Sequence, residues 1–159
     1  METESKDIVS EVFCDVLEKL AYMFGESIPK EDFPGTGADY VQAAMTFSGP
    51  MTGKLTLAVP RAMSVEVAAN VLGMEPGDEL VETRSSDAIK EMLNVICGHV
   101  LTAVAGEEPV FELSAPTLEA LDEANRVRML NEEDTACFLV DDHPVLLRFS
   151  WEELSKLER

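Results

Sequence analysis

Two segments of helical periodicity, 80 residues apart and in the same phase, constrain this chain more than any other feature. In the first, Val9, Val12, Phe13, Val16, Leu20 and Met23 recur at helical spacing over residues 7 to 24, running into Gly25 and Pro29, where a helix is expected to stop. In the second, from about Asp87 to Ala105, Ser85, Ser86 and Asp87 read as the helix start and Gly106 as its end. The shift places Asp7 on Asp87 and Glu11 on Glu91. It also places Val9, Val12, Phe13, Val16 and Leu20 on Ile89, Met92, Leu93, Ile96 and Val100. Each helix has one side that must be buried and one that can face water, so both need an apolar layer beneath them.

That layer is legible as β-structure. VQAAMTF and KLTLAVP are β-prone runs separated by the turn-forming SGPMTG, and TACFLV and VLLRF are joined by DDHP, so two hairpins are expected. KEDFPGTGAD reads as a loop, RAMSVEVAANVLG as a short helix ending at Gly73, and MEPGDELVETRSS as an acidic linker. VFELSAPTL reads as extended, RVRML as a further strand, and WEELSKLE as a closing helix. The order helix, hairpin, helix thus occurs twice, which predicts an α+β fold: a mostly antiparallel sheet with long helices packed on it and an internal pseudo-duplication. With 159 residues and 46% hydrophobic content, one domain over residues 1–159 is expected.

Charge narrows the function. Against 12 basic residues stand 31 acidic ones, and the formal net charge of −19 opposes binding to nucleic acid. No basic start with an apolar core marks a leader, and no continuous apolar run approaches the ~20 residues that span a bilayer, so a cytoplasmic protein with no membrane partner is expected. Cys14, Cys97 and Cys137 match neither a disulfide framework nor a metal motif and read as reduced thiols. Neither a Ser/His/Asp set, a metal cluster nor a phosphate loop is present, which argues against a conventional small-molecule hydrolase.

The chemistry is expected on the second long helix. At about 100° per residue, Asp87, Glu91, Asn94 and Gly98 fall within about 60° of one another, opposite the apolar side. Asn94 and Gly98 are poorer helix formers than alanine, by several tenths to about 1 kcal/mol, so local stability alone would choose other residues. The stripe contains a carboxylate that can pair with a cation and an amide that can accept and donate at once, and it contains no nucleophile. An amide so placed can hold a water in line with a phosphorus atom, as Gln does in GTPases, provided a partner holds the phosphoryl group. The plainer reading of Glu91 and Asn94 is a solvated helix face, and Asp87 reads equally as a first-turn acid favoured by the helix dipole. Cys97 and His99, two residues apart, point about 200° apart and make no nucleophile–base pair. His143 reads as an exposed turn residue.

Asp87-x3-Glu91-x2-Asn94, followed by Gly98 and Pro116, resembles the motif of the CheC/CheX/FliY phosphatases of bacterial chemotaxis. FSGPMTGKLTLAVP and VAANVLGMEP resemble the hairpin and following helix of the same family. The resemblance implies a phosphatase that removes phosphate from the aspartyl-phosphate of a CheY-like response regulator in two-component signalling. In it Glu91 pairs with the regulator's active-site lysine and Asn94 orients the attacking water, while Asp87, Gly98 and Pro116 support the motif. No metal or cofactor is implied in this chain, Mg2+ residing in the regulator. At the matching place the first helix has Cys14 where the amide should stand and Glu18 where Gly98 stands. One active centre is therefore expected, with closer likeness to CheX, whose relatives dimerise by joining sheets, so a homodimer is implied. The competing expectation is a non-catalytic module of the same fold that binds a response regulator or a flagellar-switch component.

Overall fold

The computed structural model describes residues 2–35, 37–75 and 77–153. Its first helix, α1 (Glu2–Ala21), starts ahead of the expected position and buries Val9, Phe13, Val16 and Leu17. It stops at Ala21 because Tyr22 adopts a left-handed φ of 56°, so Met23 enters the core from beyond the helix. A strand that the sequence pattern does not reveal follows, β1 (Gly25–Ile28), four residues being too short for alternation to show. After a 3-10 turn at Lys30–Asp32, β2 (Tyr40–Ser48) and β3 (Met51–Pro60) form the expected first hairpin. Helix α2 (Arg61–Leu72) ends as expected at Gly73, whose φ of 68° suits glycine.

The second long helix departs from expectation at its start. α3 spans Glu79–Ala105, so the stretch read as an acidic linker is mostly its first two turns, and Asp87 lies in the third. The true N-cap is Asp78, whose carboxylate accepts from the Leu80 amide at 2.9 Å. Ser85 resembles a cap, but its hydroxyl donates back to the Glu82 carbonyl at 2.9 Å, as that of Thr83 does to Glu79. The extra turns are held by Val81, which is buried with Ala68 and Ala69 of α2. By length and composition α3 could cross a bilayer, a property that a search for continuous apolar runs overlooks. Its apolar side is instead core, with Ile89, Met92, Leu93, Ile96 and Val100 fully buried.

Beyond α3 come β4 (Glu112–Leu113), β5 (Thr117–Leu121), α4 (Glu123–Leu130), β6 (Thr135–Val140) and β7 (His143–Glu153). RVRML, expected as a strand, lies in α4: Asp122 caps the helix through the Asn125 amide at 2.8 Å, and burial recurs at Arg126 and Met129, a helical interval. Trp151–Glu153, expected to open a helix, extend β7 along β3, and the remainder of that expected helix lies outside the described residues. The β6–β7 hairpin forms as expected, Asp141 and Asp142 both taking positive φ, as a two-residue hairpin turn requires. His143 is not an exposed turn residue, since it opens β7 half-buried with Nε2 2.9 Å from Glu66 Oε2 of α2.

The sheet is antiparallel throughout, in the order β1-β6-β7-β3-β2, with β4 and β5 lying in succession along the far edge of β2. Its two hairpins meet at the β3–β7 seam, and on each flank stands the short strand that precedes the other hairpin in the chain. This is the pseudo-duplication expressed as topology. α1 and α3 bury their matching residues against the same face, over Val41, Ala43, Met45, Leu55, Leu57, Phe138, Val145 and Leu147. The opposite face is smaller, with Tyr40, Ala58, Cys137 and Leu146 covered by Met129 of α4. The period-2 alternation of the strands thus serves both layers.

Candidate functional site

Burying Ile89, Met92, Leu93 and Ile96 turns Asp87, Glu91 and Asn94 outward on α3, and all three side chains are exposed. Across from them lies the break between β4 and β5. Pro116 has no N–H for the ladder, so the edge strand is interrupted there. Ser114 keeps the broken edge attached: its amide donates to the Thr46 carbonyl at 2.9 Å, and its hydroxyl accepts from the Thr46 amide at 2.8 Å. Just before the break, Phe111 packs edge-on against Phe47 with ring centroids 6.1 Å apart. The edge is therefore fixed relative to the helix, and between them lies an open groove of about 490 Å3.

Asp87, Lys90, Glu91 and Asn94 line one wall of this groove, and Leu113, Ser114, Ala115 and Pro116 line the other. The structure thus brings together four of the five residues singled out from the sequence: Asp87, Glu91, Asn94 and Pro116. Gly98, the fifth, lies one turn beyond Asn94 and is not a lining residue; a Cβ there would meet nothing within 4 Å, so internal packing does not require glycine. Asp87 does not support the helix start, which lies at Asp78 and Glu79, and it is instead a wall of the groove. Lys90 shares the helical face and was recoverable from the same angular argument. Leu113, Ser114 and Ala115 were not, because only the pairing with β2 brings them opposite Asn94.

Among the described residues, the side chains of Asp87, Glu91 and Asn94 make no hydrogen bond or ion pair within the chain. An exposed carboxylate and an amide held on a rigid helix, with their bonding capacity unspent, can bind a cation and a water-plus-acceptor pair on something that enters from outside. The matching place on α1 is different. Glu11 and Glu18 are exposed, but Cys14 is half-buried, packing among core side chains beside Gly25 of β1, and desolvation raises the pKa of its thiol. Cys97 is buried, its pKa pushed up to about 11 by desolvation, while His99 is exposed, in keeping with their opposite directions on the helix. All three cysteines are free thiols.

The family model described as chemotaxis phosphatase CheX matches residues 41–138, a stretch that includes α3 and the whole groove. The chain belongs to the CheX family. Solved CheX structures share its fold. That of Vibrio vulnificus superposes with a TM-score of 0.71 at 15% identity, covering 96% of this chain and 99% of the other. That of a Desulfovibrio desulfuricans CheX gives 0.68 at 15% identity, covering 94% and 99%. The CheX of the Borrelia burgdorferi CheX–CheY–BeF3–Mg2+ complex gives 0.63 at 14% identity, covering 92% and 97%. No sequence among curated proteins matches this CheX-family chain.

Proposed function

We propose that this chain is a phosphatase that hydrolyses the aspartyl-phosphate of a CheY-like response regulator. The observation that carries the reading is the outward pair of Glu91 and Asn94, without side-chain partners among the described residues, at the groove between α3 and the β4–β5 edge. Docked against a phosphorylated aspartate, the Asn94 amide oxygen accepts from a water while its NH2 donates to a phosphoryl oxygen, placing the water in line with phosphorus. The water oxygen bonds to phosphorus, the bond between phosphorus and the aspartyl oxygen breaks, and the products are a free carboxylate and inorganic phosphate. The Mg2+ held by the regulator would neutralise charge on the phosphoryl oxygens. Support for this partner comes from the Borrelia burgdorferi relative, captured with CheY, Mg2+ and BeF3, a geometric mimic of a phosphoryl group.

Glu91 is assigned the lysine of the regulator's active site. Glu91→Ala is expected to weaken docking, to raise KM more than it lowers kcat, and to make the remaining association less sensitive to salt. Steady-state dephosphorylation at two ionic strengths checks this, and an unchanged salt dependence would remove the charge pair from the reading.

The same reading includes self-association. Among the described residues the outer edge of β1 has no strand beside it, and Tyr22 and Phe24 next to it are 69% and 64% exposed. Unpaired backbone groups flanked by aromatic surface favour joining to a second sheet. The mass in solution is expected to rise from monomer to dimer with concentration, and a monomer mass at every concentration would count against it.

The decisive test of function is loss of phosphate from phosphorylated regulators on addition of the purified chain. A non-catalytic module of this fold would bind them and leave the phosphate in place.

A further inference from the structure

One side chain in the groove is used neither by the water-positioning amide nor by the carboxylate. Lys90 lies one turn before Asn94 and about 40° from it around α3, half-buried against the groove. Asp87 is three residues before it and Glu91 next to it, yet among the described residues no carboxylate comes within ion-pair distance of its ammonium. In a chain of 31 acidic and 12 basic residues, a cation left unpaired beside two carboxylates is conspicuous. The two acids alone would repel an incoming phosphoryl group, and Lys90 is the lining residue whose positive charge offsets part of that repulsion and offers an anion a contact.

We propose that Lys90 is the anion contact of the groove, engaging the negative charge of the regulator's phosphorylated pocket as Asn94 enters it. The inference rests on the phosphatase reading and deepens it. Glu91 and Lys90 then form adjacent charges of opposite sign, able to read a lysine and an anion lying side by side on the partner, and so to set the register of docking. A flexible stem carrying a point charge suits an anion that is either the phosphoryl group or a carboxylate beside it.

The test uses the full chain and a phosphorylated CheY-like regulator, with initial rates measured over regulator concentration at low and high salt. Lys90→Gln is expected to raise KM roughly five- to tenfold at low salt with kcat changed less than about twofold, the difference shrinking at high salt. Lys90→Arg should restore most of the affinity. Arg84→Gln makes the same charge change at an exposed position of α3 outside the groove, and it should move KM less than about twofold. Binding to regulator with and without BeF3 then separates the anions: a loss confined to the BeF3 form identifies the phosphoryl group, and an equal loss in both identifies a neighbouring carboxylate. If Lys90→Gln, folded by circular dichroism, keeps the parent KM, or if Arg84→Gln matches it, the contact does not exist. A silent Asn94→Ala would overturn the phosphatase reading and this inference together, whereas a damaging Asn94→Ala beside a silent Lys90→Gln would overturn this inference alone.

Discussion

Asn94→Ala is expected to lower turnover of phosphorylated regulator about 100-fold, equivalent to about 2.7 kcal/mol of transition-state stabilisation, while leaving the protein folded and docking largely intact. Folding should survive because the Asn94 side chain is exposed, has no partner among the described residues, and gives way to a better helix former. Docking should survive because the charged groups of the groove remain. Turnover should fall because positioning is all that the amide contributes, and a methyl group neither accepts from water nor donates to phosphoryl oxygen. The control is Cys14→Ala at the matching place on α1. Its thiol is half-buried against the core and is not among the lining residues of the α3 groove, so turnover should stay near that of the parent. Single-turnover loss of phosphate at saturating protein, with binding measured separately, distinguishes the two variants. A folded Asn94→Ala that hydrolyses as fast as the parent would transfer the reading to a binding module, and a damaging Cys14→Ala would move the active centre to the other helix.

The largest expected effect on stability is at Gly53, on the β3–β7 seam. A Cβ there would collide with the carbonyl oxygen of Ser150 and stand 2.6 Å from the Phe47 ring and 2.9 Å from the Trp151 Cα. Two of these three are backbone atoms of the paired strand, so relief requires the central strands to separate. Phe47 is itself stacked on Phe149 with centroids 5.4 Å apart, and it has little room to retreat. Gly53→Ala is expected to cost about 3 kcal/mol, the upper part of the range for overpacking. At this chain length that lowers the melting temperature by roughly 6–12 °C. Gly98→Ala is the contrast, since its Cβ meets nothing and alanine is worth up to about 1 kcal/mol more than glycine in a helix. Thermal unfolding of both variants decides the matter: a Gly53→Ala protein melting within 2 °C of the parent, on the order of 1 kcal/mol or less, would show that the seam yields more easily than its geometry implies.

These expectations share a cause. α3 lies on the same sheet that the β3–β7 seam holds together, so damage to the seam reaches the groove through lost folding, while changes on the outer face of α3 act without disturbing the core. Measuring folded fraction alongside turnover separates the two routes for any further variant.

How much of this could be read from the sequence differs by element, for physical reasons. Periodicity over many residues is a local property, and it was sufficient for α1, the body of α3, α2 and both hairpins. It also placed Glu91 and Asn94 on the outward face, because burying Ile89, Met92, Leu93 and Ile96 leaves no other direction for them. The ends and short elements were decided by competition. Ser85 and Ser86 resembled a helix start until packing of Val81 on α2 added two earlier turns and made Asp78 the cap. RVRML could alternate or coil, and the Asp122 cap with burial of Arg126 and Met129 made it a helix. Trp151 was drawn into β7 by pairing with Gly53, a contact about a hundred residues away that no local pattern records. The candidate site divides in the same way. Its helical wall follows from 3.6-residue periodicity and was determined by the sequence alone. Its second wall, Leu113 to Pro116, faces Asn94 only because the interrupted edge strand pairs with β2, and long-range pairing is decided by the tertiary structure.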